Sequence, residues 1–119
     1  MTDLHEGGCL CGDDRYRVRG QPLEAIVCHC TFCQRRTGTA FGVELFFPAE
    51  NIEFTGGVPK TFEHRNESGR WLRLDFCGHC GTTIGMTAER RPGQRVLMEA
   101  RLTTAPGTPS TGTFGPKKW

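Results

Sequence analysis

A mainly-β domain of short strands, organised around clustered cysteines, is the fold that this sequence predicts. Three observations predict it. Apolar residues recur in short runs, several with strict alternation, and each run is closed by glycine or proline. No long stretch has helical periodicity. Seven cysteines fall into three tight groups, Cys9/Cys11, Cys28/Cys30/Cys33 and Cys77/Cys80. At 119 residues, with sixteen glycines and 36% apolar residues, the chain makes one domain with a lean core. Such a core benefits from covalent or metal staples.

Taken in order, residues 1–8 read as a loose lead-in ending at Gly7-Gly8. Cys9-Leu10-Cys11-Gly12 puts two thiols on one side of an extended segment. Arg15-Tyr16-Arg17-Val18-Arg19 alternates, with Tyr16 and Val18 inward and three arginines outward. Gly20-Gln21-Pro22 turns the chain, and Leu23 to Val27 is a short strand leading to Cys28. Gln34 to Thr37 forms one helical turn, stopped by Gly38. Phe41 to Phe47 is a strand closed by Pro48, and Ile52-Glu53-Phe54 and Thr61 to His64 are two more. Arg70 to Phe76 alternates again, with Leu72, Leu74 and Phe76 on one face and Trp71, Arg73 and Asp75 on the other. Thr82 to Thr87 and Arg95 to Arg101 are the last strands, parted by the turn at Arg91-Pro92-Gly93. Composition shifts to Thr, Pro, Gly and Ser after Leu102. We therefore divide the chain into a cysteine-bearing domain, residues 1–102, and a tail, residues 103–119.

The cysteines need a chemical explanation. Their number is odd and they are clustered, whereas a disulfide scaffold would scatter them, so metal binding is the better account. Cys77-Gly78-His79-Cys80-Gly81 has the form of a zinc knuckle, in which the glycine permits a turn that aims backbone N–H groups at sulfur. Two thiols do not complete a site, and Cys9 with Cys11 supplies the missing pair. Four thiolates make a closed tetrahedral shell, so this zinc is structural.

Cys28-His29-Cys30-Thr31-Phe32-Cys33 is the centre of the chain. In an extended segment Cys28 and Cys30 share a face and His29 takes the other, and a turn after Cys30 brings Cys33 back. Three thiolates leave one tetrahedral corner. One reading fills it with His29, His64 or His79, giving a second structural zinc. The other leaves it open. An open zinc carrying three thiolates is a poor Lewis acid and a poor source of hydroxide, but suits an incoming thiolate. Arg35 and Arg36 then hold a carboxylate of the thiol substrate or offset the added negative charge; otherwise they form a solvated helix face.

These motifs, Gly8-Cys9-Leu10-Cys11-Gly12, Cys28-His29-Cys30-Thr31-Phe32-Cys33 followed by Gly38, and Phe76-Cys77-Gly78-His79-Cys80-Gly81-Thr82, resemble the glutathione-dependent formaldehyde-activating enzyme family, also called the centromere protein V-like family. The resemblance spans roughly residues 7–102. It implies a complex β fold of the kind called a β-tent, and two zinc ions: a structural one on Cys9, Cys11, Cys77 and Cys80, and a catalytic one on Cys28, Cys30 and Cys33. It also implies a carbon–sulfur lyase-type reaction joining glutathione to formaldehyde as an S-hydroxymethyl adduct. The sequence departs from the family after Leu102: Arg101-Leu102-Thr103-Thr104 lacks the usual acidic residue and the tail lacks a histidine.

The rival from another class is a non-catalytic zinc-stabilised scaffold that binds a protein. A thiol redox relay through Cys28, Cys30 and Cys33 is the reading for a metal-free centre, and the His-x-Glu with Pro-Cys-x-x-Cys signature of a zinc deaminase is absent. Fifteen basic and thirteen acidic residues, net +2, give no pull toward nucleic acid. No apolar run is long enough to span a bilayer, and Met1 to Glu6 lacks the features of a signal peptide. The expectation is a cytoplasmic protein with reduced thiols and a small-molecule thiol partner.

Overall fold

The structure, a computed structural model, describes residues 4–98. Its strands are β1 (Leu4–Gly8), β2 (Arg15–Arg19), β3 (Glu24–Cys28), β4 (Gly42–Pro48), β5 (Ile52–Phe54), β6 (Lys60–Arg65), β7 (Trp71–Phe76), β8 (Thr83–Ala88) and β9 (Gln94–Met98). One α-helix, α1 (Thr31–Thr37), follows β3, and a 3-10 turn covers Ala49–Asn51. The protein is mainly β, as the sequence predicts.

The strands form two antiparallel sheets, a three-stranded one in the order β1-β2-β5 and a six-stranded one in the order β3-β4-β9-β8-β7-β6. Alternation along β4 shows how the layers are used. Leu45 and Phe47 face the three-stranded sheet and join Tyr16, Val18, Ile84 and Leu97 in the main core, together with Cys9 and Cys77. Glu44 and Phe46 face the opposite way. There Phe46, Met86 and Val96 form a second cluster, against which Phe32 of α1 packs. Both faces of β4 are therefore covered, which explains its nearly unbroken apolar run.

Two expectations are corrected here. Residues 4–8 are not a loose lead-in, because β1 pairs with β2 from Leu4↔Arg19 to Gly8↔Arg15. Asp75 is not on a solvent face; it is buried, ion-paired with Arg95 and 3.4 Å from Thr61 Oγ1. The alternation of β7 was correct in period, but its second face is covered at the Asp75 end while Arg73 stays exposed. The strand expected over Arg95 to Arg101 is seen to Met98, and residues 99–101 and the tail from 103 lie outside the described residues.

Gly85 is where the sheet most needs a missing side chain. It pairs with Leu97 of β9, and a Cβ there would collide with the backbone oxygen of Val96. Neither partner is a flexible side-chain end. Gly85→Ala is expected to cost about 3 kcal/mol, the upper part of the range for overpacking, read as a lower urea midpoint with an unchanged slope.

Candidate metal centres

Cys9 and Cys11 sit on the turn between β1 and β2, and Cys77 and Cys80 on the turn between β7 and β8. Each hairpin tip belongs to a different sheet. The first turn is closed by Cys9 N–H to Asp14 O (3.0 Å) and Gly12 N–H to Cys9 O (3.3 Å). The second is closed by Gly81 N–H to Cys77 O (2.8 Å) and Cys77 N–H to Thr82 O (2.9 Å), with Gly81 at φ 79°. Only glycine takes that left-handed conformation without strain. The four sulfurs lie within 4.8 Å of one another. Sulfurs on a tetrahedral zinc stand about 3.8 Å apart, from the usual Zn–S length. Here Cys9 and Cys11 are 3.6 Å apart and Cys11 and Cys77 3.8 Å.

Backbone donors are aimed at this cluster. Asp14 N–H points at Cys9 Sγ (3.3 Å), and His79 and Cys80 N–H point at Cys77 Sγ (3.3 and 3.4 Å). The Thr82 hydroxyl and N–H hold Cys80 down to about 5. Cys11 responds oppositely: the Asp13 N–H favours its thiolate, but loss of water and the neighbouring thiols outweigh that and push it up to about 12. Four adjacent sulfurs cannot all ionise without a counter-charge, and a divalent cation supplies it. The donor set fits a metal ion.

The second cluster is built by one change of backbone direction. β3 ends at Cys28. Cys30 is extended (φ −68°, ψ 162°) and caps α1, accepting Cys33 N–H on its sulfur at 3.4 Å. Cys33 lies in the first turn of the helix, which runs two turns rather than the expected one and stops at Gly38 (φ 73°). Cys28 and Cys30 Sγ are 3.3 Å apart, and all three sulfurs lie within 4.8 Å of one another. Cys30 is exposed, Cys28 half-buried and Cys33 buried. The cluster can hold a metal ion and has one side facing solvent.

A protein-family model for the glutathione-dependent formaldehyde-activating enzyme matches residues 4–114. The chain belongs to this family. It is also similar to a Rhodobacter sphaeroides protein whose crystal structure was a structural-genomics target, with a TM-score of 0.65 and 20% identity, over 86% of this chain and 91% of that one. At that identity the likeness shows the fold alone. No curated protein matches the chain.

In this family member, no histidine joins the central cluster. His29 tilts against Phe41 (5.6 Å between ring centroids), and His64 stacks on Phe32 (5.0 Å). His79 lies at the other cluster, its Nδ1 2.9 Å from Asp13 Oδ2. What faces Cys33 instead is Glu44, whose Oε2 is 3.5 Å from Cys33 Sγ and 3.1 Å from Arg36 Nη2. The Arg36 and Glu44 side chains are only 3% and 6% exposed. Arg36 was expected to meet a substrate carboxylate; an internal one already holds it. Arg35 is exposed on the helix. Burial, first, and then the neighbouring Cys28 thiol and the Glu44 charge raise the Cys33 thiol well above its ordinary range, with Arg36 opposing them.

Glu44 was missed from sequence, although it had a signal. It is the one charged residue in Phe41-Gly42-Val43-Glu44-Leu45-Phe46-Phe47, a strand otherwise fit for burial. It also lines a cavity of about 400 Å³ with Phe46, Leu72, Met86, Arg90 and Val96. Among the described residues no helix is long and apolar enough to cross a membrane.

Proposed function

We propose that this chain is a zinc-dependent carbon–sulfur lyase-type enzyme that makes and breaks the S-hydroxymethyl adduct of a glutathione-like thiol and a small aldehyde such as formaldehyde. The observation that carries this reading is the composition of the central cluster: three converging sulfurs, no histidine, and an open side at Cys30. Family membership supports the substrate pair. Cys9, Cys11, Cys77 and Cys80 hold a structural zinc ion, and Cys28, Cys30 and Cys33 hold a second, catalytic one.

Cys28, Cys30 and Cys33 would hold the zinc ion, which would supply the positive charge that lets a substrate thiol react as its thiolate. The chain's residues do the rest. Cys28 and Cys30 place the site at the surface, where a thiol can reach it, while Cys33 anchors it to the buried end of α1. Arg35, exposed on α1 two residues after Cys33, would meet a carboxylate of the thiol. In the forward direction the sulfur lone pair forms the S–C bond, the C=O π pair moves to oxygen, and a proton on that oxygen completes the hydroxymethyl group. The reverse breaks the same S–C bond and returns free thiol and aldehyde.

Thiol ligation has a direct test. Glutathione should bind the zinc-loaded protein with release of about one proton, because the ligand arrives as thiolate. Calorimetry in two buffers of different ionisation enthalpy reads that proton. Binding should strengthen as pH rises toward the free thiol's pKa, near 8.5 for an ordinary thiol, and should be lost with S-methylglutathione. Equal affinity for the two compounds, without proton release, would put the protein-binding scaffold ahead.

A further inference from the structure

We infer that Glu44 is a resident, displaceable ligand for the fourth corner of the central metal site, moving between the metal and Arg36 as substrate leaves and enters. The inference rests on the reading of Cys28, Cys30 and Cys33 as zinc ligands. Its geometry comes from the chain itself. In a tetrahedral site with ordinary Zn–S and Zn–O lengths, a sulfur and an oxygen ligand stand about 3.5 Å apart. Cys33 Sγ and Glu44 Oε2 are 3.5 Å apart. Glu44 lies outside the group whose ligand atoms all fall within 4.8 Å, so its carboxylate must swing toward Cys28 and Cys30 to complete the shell.

The surroundings fit a carboxylate with two positions better than a fixed ion pair. One oxygen, Oε2, faces both Cys33 and Arg36, so the pair with Arg36 is not the two-pronged arrangement that a guanidinium favours. Arg36 Nε is buried without a hydrogen-bond partner, and Nη1 is spent on Met98 Sδ at 3.4 Å. Gly42 makes room for this guanidinium: a Cβ there would stand 2.6 Å from Arg36 Nη2. Once Cys33 is a metal-bound thiolate it no longer has a proton to donate to Glu44. A carboxylate 3.5 Å from it is then stabilised only by the cation or by Arg36.

Ligand chemistry gives the order of events. A zinc already carrying three thiolates prefers a soft fourth ligand, so a hard carboxylate binds weakly and yields to a thiolate. Glu44 would close the resting site against water and then withdraw to Arg36, which neutralises it. The incoming thiol gives up its S–H proton to solvent as its sulfur takes the corner that the carboxylate leaves, and no other covalent bond is made or broken.

The test uses the full chain loaded with zinc, and with cobalt(II) as a spectroscopic probe. Glu44→Gln keeps the shape and removes the charge. It should weaken metal binding at the central site roughly tenfold or more, the range seen when groups supporting a metal site are removed. It should also shift the visible cobalt bands and tighten glutathione binding by a comparable factor, because the internal competitor is gone. The opposite signs matter, since loss of a merely structural partner would weaken both. A second variant, Arg36→Met with Glu44→Leu, guards against misfolding from an unpaired buried arginine and should give the same pattern. If two ions bind but metal affinity and cobalt spectrum match the wild type, or if glutathione affinity falls with metal affinity, Glu44 is a structural partner and the inference is wrong. If wild-type protein binds only one ion, the reading of the central cluster falls and the inference with it.

Discussion

Cys80→Ala should leave the chain unfolded or aggregated and without the metal of its cluster. Cys80 is one of four sulfurs that join the tip of the β1–β2 hairpin to the tip of the β7–β8 hairpin, across the gap between two sheets. In zinc-finger peptides a structural zinc is worth about 10–16 kcal/mol, against a total stability of about 5–15 kcal/mol for an ordinary domain. The alanine also takes away one partner of the Thr82 hydroxyl, which lies 3.1 Å from the Cys80 sulfur, and leaves it the Leu10 N–H at 3.2 Å. Few other features of the described residues can compensate. β1 and β2 are each five residues long, and β5 is three. Far-UV circular dichroism, thermal melting and zinc content per chain measure the effect, and exhaustive chelation of the wild type should reproduce it. A variant with native melting and undiminished zinc would remove the structural role from this cluster.

Much of this arrangement was legible because cysteine spacing carries geometry. Cys-x-x-Cys-Gly specifies a tight turn with glycine at a positive φ, and it is found, with Gly81 at 79°; Cys9-Leu10-Cys11-Gly12, expected to be extended, is instead a turn, with Gly12 at 88°. Pairing them across a sequence separation of 66 was an argument from ligand count alone, and the Cys11–Cys77 separation of 3.8 Å agrees with it. Strand positions were legible for the same kind of reason: Tyr16 and Val18 alternate with arginines and are fully buried. Two of the failures share a cause. Whether a polar residue on an alternating strand meets solvent depends on what covers that face, which lies elsewhere in the chain. Asp75 and Glu44 were both hidden by this, one through Arg95 and the other through Arg36. β1 was unreadable because Leu4-His5-Glu6-Gly7-Gly8 has little strand propensity; its partner β2 imposes the conformation. The length of α1 was underestimated because the cap is a cysteine, which is not a usual N-cap residue.

Cys33→Ser should separate the second cluster from the first. Serine keeps the size and the position in the first turn of α1, and its backbone N–H still reaches the Cys30 sulfur, so the cap survives. Its hydroxyl can donate to Glu44 as the thiol does. The cost in stability is therefore about 1–3 kcal/mol, the scale of one disturbed buried polar contact, well short of global unfolding. The metal is another matter. Serine is a far poorer ligand than thiolate for a soft site, and two remaining sulfurs do not make a stable shell. Zinc content should fall by about one ion per chain, from two toward one, while the circular dichroism spectrum stays native. Adduct formation between glutathione and formaldehyde should fall to the uncatalysed rate. Zinc analysis on the folded variant, with melting and activity measured on the same sample, decides the matter. If Cys33→Ser proves as ruinous to folding as Cys80→Ala, the central cluster is a second structural staple. The three sulfurs would then be holding the β3–α1 corner together rather than presenting a metal to a substrate.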